Sequence, residues 1–311
     1  MKIVFMGTPK AAVPSLERLM RDGHEIIAVY TQPDRPSGRG NKINFSPVKE
    51  CAIANGLPVF QPVKIRTPEA LTQFKSFNAD AAVVVAFGRI LPETFLQAFP
   101  NGAINVHFSL LPKYRGAAPV NWAIVNGESE TGVTTMQMDA GLDTGPILLQ
   151  RAAEIRADDT AIDLMDRLAV LGADLLSETM AGLGEIKPMA QDHAKASLAP
   201  IMRRHDGLID WNLNAQEISD RVRGFQPFPT AFSLHKGAKL TIWTAFPAVE
   251  FELIQAGAGE VIHAKGDDLF VNCGNGSVLS IKELQPEGKR RMPTRDFLNG
   301  VRLVAGDVLG V

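Results

Sequence analysis

The sequence predicts an α/β protein: a doubly wound, mostly parallel, Rossmann-like sheet followed by a smaller C-terminal β-barrel of OB-like type. Three observations predict it. Strand-like and helix-like segments alternate through the first half of the chain, the pattern of an open sheet with helices on both faces. Asp80–Ala86 is apolar almost throughout, as a central parallel strand covered on both faces should be. Beyond Trp211 the pattern turns into short alternating segments with regular turn signals, the mark of a small barrel.

Each element follows in order. Lys2–Met6 reads as a short apolar strand, with Thr8 as the N-cap and Pro9 in the first turn of the next helix. Val13, Leu16, Leu19 and Met20 recur at helical spacing up to the break at Asp22-Gly23. Glu25–Tyr30, Ala103–Val106 and Thr131–Met138 are further strands. Thr160–Leu183 reads as a helix whose buried stripe is Ile162, Leu164, Met165, Leu168, Leu171, Leu175 and Leu176. Gly184–Pro200 has mixed polarity and little periodicity, so a linker is expected over 185–205, between a first domain at 1–184 and a second at 206–311. In the second, a helix is expected at Ala215–Gly224. The strands expected there are Ala231–His235, Lys239–Ala245, Gly259–Ala264, Leu269–Asn272 and Val278–Leu284.

Composition excludes several classes. The 311 residues suffice for one large or two ordinary domains with full cores. The first residues form no secretion signal, and no apolar run approaches the roughly 20 residues needed to span a bilayer. Only Cys51 and Cys273 occur, far apart, which fits two reduced thiols in a cytoplasmic protein. A net charge of -2 offers no global attraction to nucleic acid, so RNA contact would need local basic patches. Gly7-Thr8-Pro9 lacks the second glycine of a dinucleotide fingerprint, and there is no phosphate loop and no Gly-x-Ser-x-Gly elbow. The six histidines include no pair at i+3 or i+4. His24-Glu25 begins a zinc motif that Ala28 breaks, so no metal is expected.

The chemistry gathers in Asn105-Val-His107-Phe108-Ser109-Leu110-Leu111-Pro112 and in Gly141-Leu142-Asp143-Thr144-Gly145. Asn105 and His107 are two apart on a strand and leave the same face, at the carboxyl end where open α/β sheets bind ligands. Taken singly, a histidine at a strand end is usually a satisfied core or surface residue, and an aspartate between glycines a turn former. Together, amide, imidazole and carboxylate suit attack of a neutral nucleophile on a carbonyl. The amide donates to a developing oxyanion, while a carboxylate orients an imidazole and favours its charged form. No serine or cysteine nucleophile accompanies them, which favours direct transfer between two bound substrates.

Asn-x-His-x-Ser-Leu-Leu-Pro followed by Gly-Leu-Asp-Thr-Gly resembles the signature of the 10-formyltetrahydrofolate-dependent formyltransferases. The resemblance implies that Asn105 and His107 bind the formyl oxygen and that Asp143 holds His107 and assists proton removal from the attacking amine. It also implies that 10-formyltetrahydrofolate lies along Ser109, Leu110, Leu111 and Pro112 and beside Phe87, Gly88, Arg89, Ile90 and Leu91. Phe108 departs from the family's usual Gly or Ala, and the large ring could face a pocket wall or the core.

The acceptor must be read elsewhere. Thr31–Lys42 is rich in Gly, Pro and Ser, hence a mobile loop, and carries Arg35, Arg39 and Lys42. On composition it could be a solvated loop with incidental charge. Its Thr-Gln-Pro-Asp-Arg-Pro-x-Gly-Arg-Gly resembles the inserted loop of those family members whose acceptor is the initiator methionyl-tRNA. In the second domain, Met202-Arg203-Arg204 resembles that branch's domain junction. Arg204 and the run Lys289-Arg290-Arg291 are candidate RNA contacts, although such a run is usually plain solvated surface. Arg295 adds to the basic character of the same domain. A monomer is expected. Three rivals remain: an amino sugar nucleotide as acceptor, hydrolysis of the formyl donor, and a non-catalytic tRNA-binding protein.

Overall fold

The structure, a computed structural model, describes residues 1–37, 42–248 and 256–310. The chain forms two compact units. One comprises Met1–Pro119, Glu130–Glu154 and Met165–Pro200; the other comprises Val120–Ser129, Ile155–Leu164 and Ile201–Val311.

The strands of the first unit are β1 (Lys2–Gly7), β2 (Glu25–Tyr30), β3 (Arg35–Ser37), β4 (Lys42–Asn44), β5 (Val59–Phe60), β6 (Ala81–Val85), β7 (Ala103–His107), β8 (Arg115–Gly116), β9 (Glu130–Gln137), β10 (Ile147–Glu154) and β11 (Leu198–Ala199). The helices up to residue 200, in chain order, are α1 (Val13–Arg21), α2 (Pro47–Ala54), α3 (Pro68–Ser76), α4 (Glu93–Leu96), α5 (Pro119–Val125), which from Val120 belongs to the second unit, and α6 (Ala161–Ala181), which belongs to the first from Met165. Seven strands make one sheet in the order β10-β9-β7-β6-β1-β2-β5. The five from β7 to β5 run parallel, while β9 and β10 are antiparallel additions at one edge. The order reverses between β1 and β6, so the switch point lies at their carboxyl ends, where a ligand crevice is expected in such sheets. There the Thr8 hydroxyl donates to the Phe87 carbonyl at 3.3 Å.

Alternation decides which face each side chain serves. Val4 and Met6 of β1 share a core with Ala28, Tyr30, Ala82, Val84 and the rings of Phe74, Phe95 and Phe99. Ile3 and Phe5, on the opposite face, are equally buried. Full burial of one such ring is worth about 1.5–3 kcal/mol. Ser46 and Thr67 cap α2 and α3 by accepting backbone N–H bonds from Lys49 and Ala70.

Three expectations are corrected. Thr8 does not cap a helix. Its hydroxyl is committed to Phe87 and accepts the Gln32 N–H, and Lys10–Ala12 forms a tight 3-10 turn before α1. Ile162 is 41% exposed, and the stripe of α6 is completed by Ala161, Ala169, Ala173 and Met180. The segment read as a linker is structured over its first part. Met189 bridges Ile147, and Leu198 and Ala199 pair with Arg115 and Gly116.

In the second unit, α7 (Ala215–Gly224) begins with a reciprocal cap. Asn214 accepts the Glu217 N–H, and the Glu217 carboxylate accepts the Asn214 N–H. The strands β12 (Ala231–His235), β13 (Ala238–Pro247), β14 (Val261–Lys265), β15 (Asp268–Asn272) and β16 (Val278–Pro286) form an antiparallel sheet ordered β12-β13-β16-β15-β14. A short β17 (Met292–Pro293) also pairs with β16, followed by α8 (Thr294–Gly300). Register shifts within β13 bend the sheet around a core that includes Ile218, Val222, Ile242, Ile281 and Phe297. No helix of the described residues is long and apolar enough to cross a membrane.

Candidate active site

β7 is buried along its whole length and ends at His107. Its pairing with β9 sets Asn105 opposite Met136 and His107 opposite Thr134. Asn105 is 8% exposed, and among the described residues its side-chain amide has no hydrogen-bond partner. A buried amide normally finds one, so this group stands ready for a ligand.

His107 is fixed from behind. Its Nε2 lies 3.0 Å from the Tyr114 carbonyl oxygen, which can only accept, so Nε2 carries the proton. Nδ1 faces Asp143 Oδ2 at 3.7 Å, beyond hydrogen-bond length. The Tyr114 carbonyl, rather than Asp143, therefore makes the bond that orients the ring. Asp143 Oδ2 instead accepts the Gly116 N–H at 2.8 Å.

Asp143 has φ +51°, a left-handed conformation that costs a non-glycine residue about 1–2 kcal/mol. The loop around it is tied down. Asp139 accepts from the Gly141 N–H and the Thr144 hydroxyl. At Gly145 an added Cβ would stand 1.9 Å from the Gln137 carbonyl oxygen, so only glycine lets the loop pass. Gln191, buried in the segment after α6, donates to the carbonyls of Asp143 and Gly145.

The loop after β7 is built by its own side chains. Ser109 is fully buried and its hydroxyl donates to the Lys113 carbonyl at 2.6 Å. Thr134 donates to the Ser109 carbonyl and accepts the Leu111 N–H. Leu111 packs with Met136 and Ile147. Leu110 and Pro112 stay half-buried. Phe108 faces the core: a Cβ placed on Gly172 of α6 would lie 3.5 Å from its ring.

The segment after β6 divides in two. Phe87 and Leu91 belong to the core, whereas Gly88, Arg89 and Ile90 reach the surface. Arg89 donates to Gln32 and to the carbonyls of Pro62 and Val63. Beside Arg89 and Ile90 lies a cavity of about 400 Å³ with Val63, Ile65 and Arg66 in its wall. No group of His, Cys, Asp and Glu among the described residues could hold a metal ion.

Of the acceptor-side residues, Arg39 lies outside the described residues. The backbones of Arg35 and Lys42 lie in an antiparallel ribbon, β3 with β4, where the sequence suggested only loop. Arg204, Lys289 and Arg290 are exposed, with no ion-pair partner among the described residues. Arg291 is committed: it pairs with Glu283, lies 5.1 Å from the Trp243 ring and draws the Glu283 carboxyl below its ordinary range. Arg295 pairs with Asp267.

Sequence reasoning missed Gln191, the Tyr114 carbonyl and the Gly116 N–H. Two of these act through backbone atoms and leave no residue-type signal. Gln191 sits in a stretch without periodicity.

A family model described as formyl transferase matches residues 1–180, and one described as formyl transferase, C-terminal domain, matches residues 201–302. Methionyl-tRNA formyltransferase of Citrifermentans bemidjiense is 49% identical over 312 residues, covering 100% of this chain and 96% of that protein. The methionyl-tRNA formyltransferase of Koribacter versatilis is 50% identical over 313 residues, covering 100% and 99%. An N-formyltransferase from Helicobacter canadensis, solved with folinic acid and dTDP-3-aminofucose, has a TM-score of 0.67 at 22% identity, covering 92% of this chain and 99% of its own. At that identity the likeness speaks to the fold alone.

Proposed function

We propose, for a chain that belongs to the formyl transferase family in both of its halves, that it transfers a formyl group from 10-formyltetrahydrofolate to the α-amino group of initiator methionyl-tRNA. The observation that carries the chemistry is the partnerless Asn105 amide beside a His107 ring held by Tyr114, with the Asp143 carboxylate facing Nδ1. The full-length relatives named for methionyl-tRNA carry the choice of acceptor.

The neutral amine attacks the formyl carbon and a C–N bond forms. The carbonyl oxygen becomes anionic and is met by the Asn105 amide and, when the ring carries a second proton, by the Nδ1–H of His107. Asp143 lies where its free carboxylate oxygen can take the proton shed by the new ammonium. The bond from the formyl carbon to the folate N10 then breaks, and the proton held by Asp143 passes to N10, so charge and atoms balance. An α-amino group titrates near pH ~8, so a useful fraction is already neutral at pH ~7 and no strong base is needed. The donor lies along Gly88, Arg89 and Ile90 and against Leu110 and Pro112. Ser109, Leu111, Phe87 and Leu91 shape that wall from within.

The division of labour follows the chain: residues 1–184 supply the reacting groups, 185–205 brace them and join the two parts, and 206–311 help hold the tRNA. Arg35, Arg39 and Lys42 contact the acceptor end, and Arg204, Lys289 and Arg290 contact phosphates, while Arg291 is held by Glu283. The protein acts as a monomer in the cytoplasm. The test supplies labelled 10-formyltetrahydrofolate with charged initiator tRNA and an amino sugar nucleotide as competing acceptor. Label on the methionyl amine is expected. Label on the sugar, or free formate without acceptor, overturns the assignment.

A further inference from the structure

We propose that Gln191 is a positioning residue for Asp143, anchored by Arg115, so that proton handling at Asp143 depends on a side chain outside the two catalytic motifs. This rests on the role given to Asp143 above.

Gln191 is 6% exposed and uses its full bonding capacity. One amide N–H donates to the Asp143 carbonyl at 2.9 Å and the other to the Gly145 carbonyl at 2.7 Å. Its Oε1 accepts two bonds from the Arg115 guanidinium, from Nε at 3.1 Å and Nη2 at 2.7 Å. Two donors and two lone pairs are all that an amide offers. A carboxylate there would lose both donors and set its charge against two carbonyl oxygens. An apolar side chain would strand two carbonyls and a buried guanidinium.

Arg115 is 7% exposed and forms no ion pair with any carboxylate among the described residues. Its remaining contact is Nη1 with His193 Nδ1 at 3.2 Å. A buried guanidinium with no counter-ion is costly to keep, and here its fork is spent on orienting one amide.

Consecutive residues thus grip Asp143 at both ends. Arg115 reaches its backbone through Gln191, and the Gly116 N–H holds its carboxylate directly at 2.8 Å. β8 itself is held by β11, from the same segment that supplies Gln191. The grip falls on a residue with φ +51°, a conformation that needs external restraint to persist. Without the amide, the loop can relax and carry the carboxylate away from Nδ1.

The experiment is a double-mutant cycle on the full chain, assayed for formyl transfer well below each variant's unfolding temperature. Gln191→Ala is expected to lose about 10²-fold in kcat, the scale of a misplaced reacting group, with KM for folate and tRNA within about threefold of wild type. In an Asp143→Asn background the same change should cost less than about twofold, because residues that act through one another are not additive. Gln191→Met, which keeps the volume without the bonds, should repeat the loss and serves if the alanine variant does not fold. Wild-type kcat in Gln191→Met or Gln191→Ala, with Asp143→Asn strongly slowed, overturns the inference and spares the role of Asp143. Fully additive losses overturn it too. Wild-type turnover by Asp143→Asn overturns the role of Asp143 itself, and this inference with it.

Discussion

The Nε2 of His107 donates to the carbonyl oxygen of Tyr114 at 3.0 Å, which leaves Nδ1 as the one ring nitrogen turned toward Asp143. The ring is held by the main chain of the loop that follows it, and Tyr114 itself takes a left-handed φ of +61°. Orientation of the imidazole is thereby separated from Asp143: a change at Asp143 should leave the ring in place.

Asn105 and His107 should respond differently to truncation. Asn105→Ala removes a group that no other described residue uses, so kcat falls about 10²–10³-fold while the unfolding temperature barely moves. His107→Ala removes the bond to Tyr114 as well, so both fall. Steady-state kinetics and thermal unfolding of the two variants check this. A large loss of stability in Asn105→Ala would mean that the amide is structural.

Tyr30 is 2% exposed and its hydroxyl has no partner among the described residues, while Phe60 stacks on its ring and Phe74 and Phe77 meet it edge-on. Leaving such a hydroxyl unpaired costs about 1–3 kcal/mol, so Tyr30→Phe should raise stability near neutral pH by roughly 1 kcal/mol. Burial also pushes the Tyr30 phenol up to about 12. Because the folded value exceeds the unfolded one, the protonated fold is favoured below pH ~10 and that preference is lost as pH rises through the folded value. Wild type should therefore weaken between pH ~10 and ~12 more steeply than Tyr30→Phe. Urea midpoints across that range decide it.

Phe108 is 5% exposed and packs toward Gly172. Phe108→Gly, although it restores the small residue usual at this place in the family, should cost about 3–5 kcal/mol as a large-to-small core change. Folate affinity of the folded variant should be unchanged. Chemical denaturation and ligand titration together test the pair of statements.

The basic run of the second unit should split. Lys289→Ala and Arg290→Ala should each weaken tRNA binding and reduce the slope of log K against log salt by about 1. Arg291→Ala should chiefly lower the unfolding temperature, because Arg291 is occupied by Glu283 and Trp243. Binding isotherms at several salt concentrations separate the three.

Legibility in the sequence followed the physics of each element. Ala215–Gly224 and Glu25–Tyr30 could be read to the residue because apolar spacing and turn residues agreed at both ends. β10 went unread because its run Gln150-Arg151-Ala152-Ala153-Glu154 pairs as an edge strand, where one face is solvated and little apolar signal is needed. Thr8 matched a capping residue by type, but the chain there closes into a 3-10 turn and the hydroxyl serves the segment after β6. At the site, the side chains proposed to act by their own chemistry, Asn105, His107 and Asp143, could be named from the sequence. What positions them could not, because Tyr114 and Gly116 act through backbone atoms and Gln191 through long-range contacts with no period.

β11 and Gln191 also bear on how the protein can be divided. A fragment cut at residue 184, where the regular pattern of the first half ends, would keep every residue of the two catalytic motifs. It would lose the Gln191 amide from the Asp143 loop, the Ser197 hydroxyl that accepts the Tyr114 N–H, and the strand paired with Arg115 and Gly116. Its proposed catalytic centre would be present in composition and loose in geometry. The smallest piece that keeps these supports ends near Pro200, sixteen residues later than the pattern alone would suggest.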